Sequence, residues 1–346
     1  MRTRSLYFTG PRATEIREEE VRVPGTGEVQ LTAIVSGISA GTELNVYRGL
    51  APQWRQTMDP KTRLFSAANG SSWTWPARYG YAMVGRVSAL GQGVTVLSEG
   101  DLVYSYSPHG DHAVVSADAV IPLSNLPDPE IGVFTANMNT AYNGLLDANI
   151  PLGADVVVMG LGVIGQIIVR LLKRNGARRV IAVDGVASRR AVAKAGGATH
   201  LLEPSATVAE AVRDITDGRG ADFVIEVSGS APALNAAIRT VGFNGTVIAL
   251  SWYGGTFETL SLSGEFHHNR PRVISSQVGA VNPLLGPLWS MGRRSEIAQE
   301  FLREYASDLK GFVTHRFPIV KAGDGYELVD NNAADIMQVL IDYRMN

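Results

Sequence analysis

The sequence predicts an α/β chain made of a doubly wound parallel sheet and a second, β-rich part, and three observations lead there. Its 346 residues, against roughly 150 for a typical domain, supply two domains with a core in each. Up to about Leu126, short β-type runs alternate with turns rich in Gly, Pro and Asp. From about Pro127, strand-like and helix-like segments alternate. Repeated βα units of that kind imply a parallel sheet covered on both faces.

Taken in order, residues 1–9 alternate in polarity and lack an apolar central stretch, so they read as a first strand and not as a signal peptide. Residues 28–35, 82–89, 101–106 and 112–116 read as further strands of an antiparallel domain. The segment 53–75 is long and aromatic and matches no element. In the second part, 155–159, 180–183, 223–227 and 246–250 read as strands, and 164–174, 188–195 and 231–240 as helices. The tail holds expected helices at 296–305 and 333–343 and is expected to pack back on the first part. The domains expected are therefore 1–127 with 281–346, and 128–280 between them.

Composition excludes several classes of function. Lys and Arg total 31 and Asp and Glu 33, a net charge of −2, which removes the case for phosphate-driven nucleic-acid binding or a basic membrane-surface patch. Hydrophobic residues at 45% and charged residues at 18% describe a compact globule. The absence of cysteine excludes disulfides, thiolate nucleophiles and every cysteine-ligated zinc site. The most apolar window, 156–172, is broken by Gln166, Arg170 and glycines, so no membrane span is expected and the location expected is cytoplasmic.

Gly160-Leu161-Gly162-Val163-Ile164-Gly165 follows an apolar strand directly and opens a helix. In such a turn the first glycine permits the tight bend, the second admits a pyrophosphate and the third lets helix and strand approach. Asp184 ends the next strand, where a carboxylate holds the adenosine ribose hydroxyls. This is the Rossmann dinucleotide fingerprint. A carboxylate there repels a 2′-phosphate, which favours NAD(H) over NADP(H). Arg189 and Arg190 weigh the other way: they can stack on adenine, hold the ribose, accept a phosphate if the acid turns away, or form a solvated helix face.

Several further segments resemble signatures of the medium-chain dehydrogenase/reductase family, the alcohol dehydrogenase fold, and together they span nearly the whole chain. Ser36-Gly37-Ile38-Ser39-Ala40-Gly41-Thr42-Glu43-Leu44-Asn45 resembles its Gly-Ile-Cys-Gly-Thr-Asp-x-His segment with one extra residue, and Gly80-Tyr81-Ala82-Met83-Val84-Gly85 resembles its Gly-His-Glu-x-x-Gly segment. Gly100-Asp101-Leu102-Val103, Glu226-Val227-Ser228-Gly229 and Thr140-Ala141-Tyr142 match further family patterns. The resemblance implies a GroES-like catalytic domain beside the Rossmann domain, Thr140 beside the nicotinamide and Ser228 at the cofactor. It also implies a homodimer joined through the region 273–288. The run Phe266-His267-His268-Asn269-Arg270 with Ser275-Ser276-Gln277-Val278-Gly279 most resembles a branch that includes the bacteriochlorophyllide dehydrogenase and tailoring enzymes of natural-product pathways.

The departures from the family bear on mechanism. Its metal-ligand positions hold Ser39 or Ala40, Tyr81 and Ala136, its relay histidine is Asn45, and the four-cysteine lobe is missing. None of these side chains is an ordinary zinc ligand, so a zinc-free enzyme is expected. Tyr81 then becomes the candidate that donates to the substrate oxygen and acts as general acid, or else merely fills the vacated space. Thr42 matches the proton-relay hydroxyl and Ser39 lies nearby. Glu43 becomes an acid if it is buried without a cationic partner, while a bond to Arg48 is the plainer alternative. His267, His268 and Gln277 are expected to line the substrate end of the cleft, with the two histidines on opposite faces of a strand. Trp54, Phe65, Trp73, Trp75, Trp252 and Tyr253 would wall a wide apolar pocket, which Gly254 and Gly255 would let close as a lid. The activity expected is hydride transfer between NAD(P)H and a ketone or secondary alcohol on a bulky apolar small molecule, in a biosynthetic pathway. The alternatives are conjugate reduction of an enone, with or without ring closure, and a non-catalytic dinucleotide sensor.

Overall fold

The computed structural model describes residues 1–67, 70–254, 260–331 and 334–345. They form two compact units, Met1–Ala136 with Gln299–Asn346, and Asn137–Ala298. The sequence reading placed the divisions at 127/128 and 280/281, where the contacts place them at 136/137 and 298/299.

The second unit is built on strands that bury both faces. Every residue of Asp155–Met159 is buried, as expected of an apolar run in a parallel sheet. Among the described residues the sheet has six strands, in the order His200–Leu202, Arg179–Val183, Asp155–Met159, Ala221–Glu226, Val241–Ala249 and Arg272–Ser275. All its pairings are parallel, so the strand order reverses between Asp155–Met159 and Ala221–Glu226. The crevice at such a reversal is where open α/β sheets bind ligands. The helix Val163–Arg174 lays Ile167, Ile168, Leu171 and Leu172 into the core, a stripe at helical spacing. His200–Leu202, the helix Val208–Ile215 and Arg272–Ser275 went unread in the sequence. The two strands are short and lie at the sheet's edges, where little of the pattern is buried.

In the first unit the 11-residue strand Glu28–Ile38 is central. It pairs antiparallel with Met83–Leu90, with His112–Ser116 and with Gln338–Asp342. Leu31, Phe8, Tyr104 and Tyr326 are fully buried here, and Phe8 meets the edge of Tyr326 at 5.1 Å.

Two expectations about elements are corrected. The tail does return to the first unit, but as the strand Gln338–Asp342 and not as a helix over 333–343; Ala333 itself lies outside the described residues. All five of its residues are buried, and an apolar run buried on both faces carries no period that separates strand from helix. It pairs parallel with Val313–Phe317, so the β-rich unit is not wholly antiparallel. His267 and His268 sit on the short helix Glu265–Asn269, not on a strand, and both are exposed. Among the described residues no helix is long and apolar enough to cross a membrane.

Candidate active site

The fingerprint glycines are each needed where they stand. Gly160 has φ +99°, and a Cβ there would lie 2.7 Å from the Ser228 backbone nitrogen. A Cβ on Gly165 would lie 2.0 Å from the Gly160 carbonyl oxygen. At Gly162 a Cβ would meet nothing within 4 Å, which leaves the space a pyrophosphate needs. Gly162 also caps the helix without a side chain, so the N–H groups of the first turn, which Val163 and Ile164 begin, are open to an anion. Asp184 is anchored to this turn: Oδ2 accepts from the Leu161 N–H at 2.7 Å and Oδ1 from the Val186 N–H at 2.8 Å. Arg190 is committed to the Asp184 carbonyl oxygen, at 2.7 Å, and to Glu203. Arg189 is half-buried, and its carbonyl accepts from Gln166 Nε2 at 2.8 Å.

Ser228 faces the same turn. Its N–H donates to the buried Glu226 at 2.7 Å and its hydroxyl donates to the same oxygen, while the Tyr253 hydroxyl donates to the other. Burial first, and then the Glu226 carboxylate, push the Tyr253 hydroxyl well above its usual range. Tyr253 is therefore tied to Glu226 rather than free to contact a substrate, and Trp252 beside it is half-buried. Thr140 is half-buried on the helix Thr135–Ala148. The buried Arg294 fixes that helix, bonding Asn143 Oδ1 at 2.8 Å, the Val278 carbonyl at 2.7 Å and Asn139 Oδ1 at 3.3 Å. Gln277 is exposed and accepts from the Gly279 N–H at 2.6 Å, and His267 is exposed as well. Gly255 of the expected lid lies outside the described residues.

In the first unit the hydroxyls expected together are together. The phenol of the half-buried Tyr81 interacts with the side chains of Ser39 and Thr42. Burial, and after it the nearby Glu43, push this phenol well above its usual range, so it remains protonated and a donor. Thr42 and Glu43 open the helix Thr42–Tyr47, which turns Glu43 fully inward. There its Oε2 accepts from the Tyr326 hydroxyl at 2.5 Å and meets His109 Nε2 at 3.1 Å, whereas Oε1 is buried with no hydrogen-bond partner. The expected alternative of an Arg48 bond is overturned, because Arg48 pairs with Asp330 at 2.5 Å. In the sequence no motif surrounds His109, and only the fold brings it to Glu43. In the aromatic segment Trp54 stacks on Trp75 at 3.7 Å and meets Trp73 at 5.3 Å, and Trp73 packs on Tyr79 at 5.4 Å.

The residues at the family's metal positions do not fit a zinc ion. Ala136 offers no donor atom, the first position offers either the neutral Ser39 hydroxyl or the bare Ala40, and the Tyr81 hydroxyl is a protonated phenol. The nearby His109 has its ring nitrogens engaged by Ser36 and Glu43. No step below is routed through a metal.

The sequence profile of the family described as zinc-binding dehydrogenase matches residues 163–287. D-guloside 3-dehydrogenase of Escherichia coli K12 is 30% identical over 308 residues, which is 86% of this chain and 88% of that one. A Sinorhizobium meliloti 1021 protein of the zinc-binding dehydrogenase type, solved with NADP bound, superposes with a TM-score of 0.79 at 20% identity, covering 99% of both chains. An Escherichia coli CFT073 alcohol dehydrogenase complexed with NADH gives a TM-score of 0.77 at 19% identity, again over 99% of both.

Proposed function

Because the chain belongs to the zinc-binding dehydrogenase family of alcohol-dehydrogenase-like oxidoreductases, we propose that it passes a hydride between NAD(H) and a secondary alcohol or ketone on a ring-bearing small molecule, without zinc. The observation that carries this reading is the Gly160–Gly165 turn, with Gly162 open to a pyrophosphate and Asp184 anchored to Leu161. A bound nicotinamide dinucleotide supplies the hydride acceptor. Asp184, with both oxygens tied to backbone and its neighbour Arg190 engaged elsewhere, supports NAD(H) over NADP(H). On the substrate side the protein must stabilise an alkoxide and move its proton. Tyr81 supports that role as a protonated donor that interacts with the Thr42 and Ser39 side chains. The relative named for D-guloside supports a polyhydroxylated ring as substrate, and the mutual packing of Trp54, Trp73 and Trp75 counts against a pocket for a large flat apolar one.

The test is fluorescence titration of metal-analysed protein with NADH and NADPH, followed by nicotinamide reduction with methyl glycosides and cyclohexanol. The expected result is tighter NADH binding and turnover that chelators leave unchanged. Stoichiometric zinc with chelator-sensitive turnover would overturn the metal-free step. Tighter NADPH binding would move the enone-reductase alternative to first place, and cofactor binding without turnover on any carbonyl or alcohol would favour a sensor.

A further inference from the structure

Beneath Tyr81 lies a buried chain of polar side chains that the sequence did not single out. His109 is fully buried. Its ring fills the space a side chain at residue 80 would take: Gly80 has φ +134°, and a Cβ there would lie 2.8 Å from His109 Cδ2 and 2.9 Å from Nε2. The residue next to Tyr81 is thus shaped around this ring. His109 Nδ1 lies 2.6 Å from the Ser36 hydroxyl, which lies 2.8 Å from the Tyr343 hydroxyl, and the Gly110 N–H donates to Tyr343 at 3.0 Å. At the other end Nε2 meets Glu43 Oε2, which also accepts from Tyr326.

The direction of these bonds follows from the two ends. A backbone N–H can only donate and an ionised carboxylate can only accept. Each proton between them is used once when Tyr343 donates to Ser36, Ser36 to His109 Nδ1, and His109 Nε2 to Glu43. The chain therefore converges on one carboxylate oxygen, Oε2, and leaves Oε1 buried without a partner. Leaving a buried acceptor unpaired destabilises the fold, so its retention calls for a reason, and it belongs to the residue next to Thr42.

We propose that His109 is a positioning residue of the active site: with Tyr326 it engages Glu43 Oε2 and so keeps Oε1 as the acceptor for the substrate's hydroxyl proton. This rests on the reading of Tyr81 and Thr42 given above. In the oxidative direction the hydride leaves the substrate carbon for the oxidised nicotinamide and the C–O bond becomes C=O. The hydroxyl proton passes through the Tyr81 and Thr42 hydroxyls, each giving up one proton as it takes another, and ends on Glu43 as a carboxylic acid when Thr42 turns its hydroxyl to Oε1, which has no hydrogen-bond partner at rest. Reduction returns it by the same route. Glu43 raises the Tyr81 pKa, consistent with the carboxylate acting on that phenol.

The experiment compares Tyr81→Phe, Glu43→Gln, His109→Gln, His109→Leu and Ser36→Ala. Each is assayed for NADH affinity, melting temperature, and kcat and KM across pH with methyl guloside or cyclohexanol, whichever turns over. The expected result is a loss in kcat of about tenfold or more for His109→Leu, with KM and NADH affinity unchanged and the acid limb of the kcat profile displaced. His109→Gln, which keeps a donor, should recover part of the rate, and His109→Leu added to Glu43→Gln should cost nothing further. A lowered melting temperature with wild-type kcat, KM and pH profile in the His109 and Ser36 variants would make the chain merely structural and overturn the inference. If His109→Leu does not fold, His109→Gln and Ser36→Ala decide the same question. Full kcat in Tyr81→Phe would instead overturn the site reading itself, which the His109 variants alone do not test.

Discussion

Tyr81 has a protonated phenol, which makes the proposed chemistry of the site testable by removing a single atom. Tyr81→Phe should lower kcat by about 10²–10⁴ with NADH binding unchanged, measured by steady-state kinetics beside fluorescence titration. Because burial and Glu43 both hold the phenol proton, Glu43→Gln should let Tyr81 ionise at lower pH, visible in the ultraviolet titration of tyrosine. At the cofactor end, Asp184→Asn removes the charge that would repel a 2′-phosphate, and should improve NADPH affinity relative to NADH by about tenfold, or roughly 1.4 kcal/mol. The fingerprint residues were legible in the sequence because their demands are local: a bend at Gly160, an open face at Gly162 and a close approach at Gly165 all fall within six positions. The surroundings of Glu43 were not. Arg48 is five positions away in sequence and Tyr326 is 283, yet Arg48 goes to Asp330 and Tyr326 to Glu43, a choice that only the folded sheet makes.

At the scale of elements, the helix Thr135–Ala148 depends on a polar anchor, not on apolar packing alone. Arg294 reaches it from the start of the helix Met291–Glu304, and Asp147 beside it bonds Ser276 at 2.6 Å. Arg294→Leu leaves the Asn139 and Asn143 side chains and the Val278 carbonyl without that partner. It should cost about 2–5 kcal/mol in stability by urea unfolding, and it should also weaken nicotinamide binding if Thr140 stands beside that ring. Helices with one apolar stripe, such as Val163–Arg174, were readable to within a residue. The strand Gln338–Asp342 and the helix Glu265–Asn269 were not, the first because it is buried on both faces and the second because five residues hold barely more than one turn.

For the molecule as a whole, acid stability follows from its carboxylates. The Arg22 guanidinium, and after it the Gly25 N–H, hold Glu28 down to about 2. Burial pushes Asp330 up, but its bonds to Arg12 and Arg48 outweigh that and leave it below the usual range. Groups depressed in the folded state stabilise it fully above their unfolded values, and that stabilisation is lost as pH falls through the folded ones. The melting temperature should therefore hold above about pH 5 and decline toward pH 2, with a shallower decline in Glu28→Gln, read by calorimetry. We further propose a homodimer through the exposed edge strand Arg272–Ser275 and the exposed Leu284 and Leu288. Light scattering should give twice the chain mass, and Leu288→Arg should return it to one.

The central sheet of the first unit has an implication for the order of assembly on the ribosome. Its middle strand, Glu28–Ile38, is made early, but its neighbour Gln338–Asp342 emerges some three hundred residues later. Until then the backbone at Val35–Ile38 is an open edge on a nascent chain, able to pair with any other strand that passes. The Asn137–Ala298 unit draws on a continuous stretch and is free to fold in the interval. Tyr326 and Tyr343 arrive with the same late segment, so the step that closes the edge also brings the last partners to Glu43 and Ser36. Closure of the sheet edge and completion of the polar surroundings of Glu43 and Ser36 are in this way one step of assembly, made by one segment of chain.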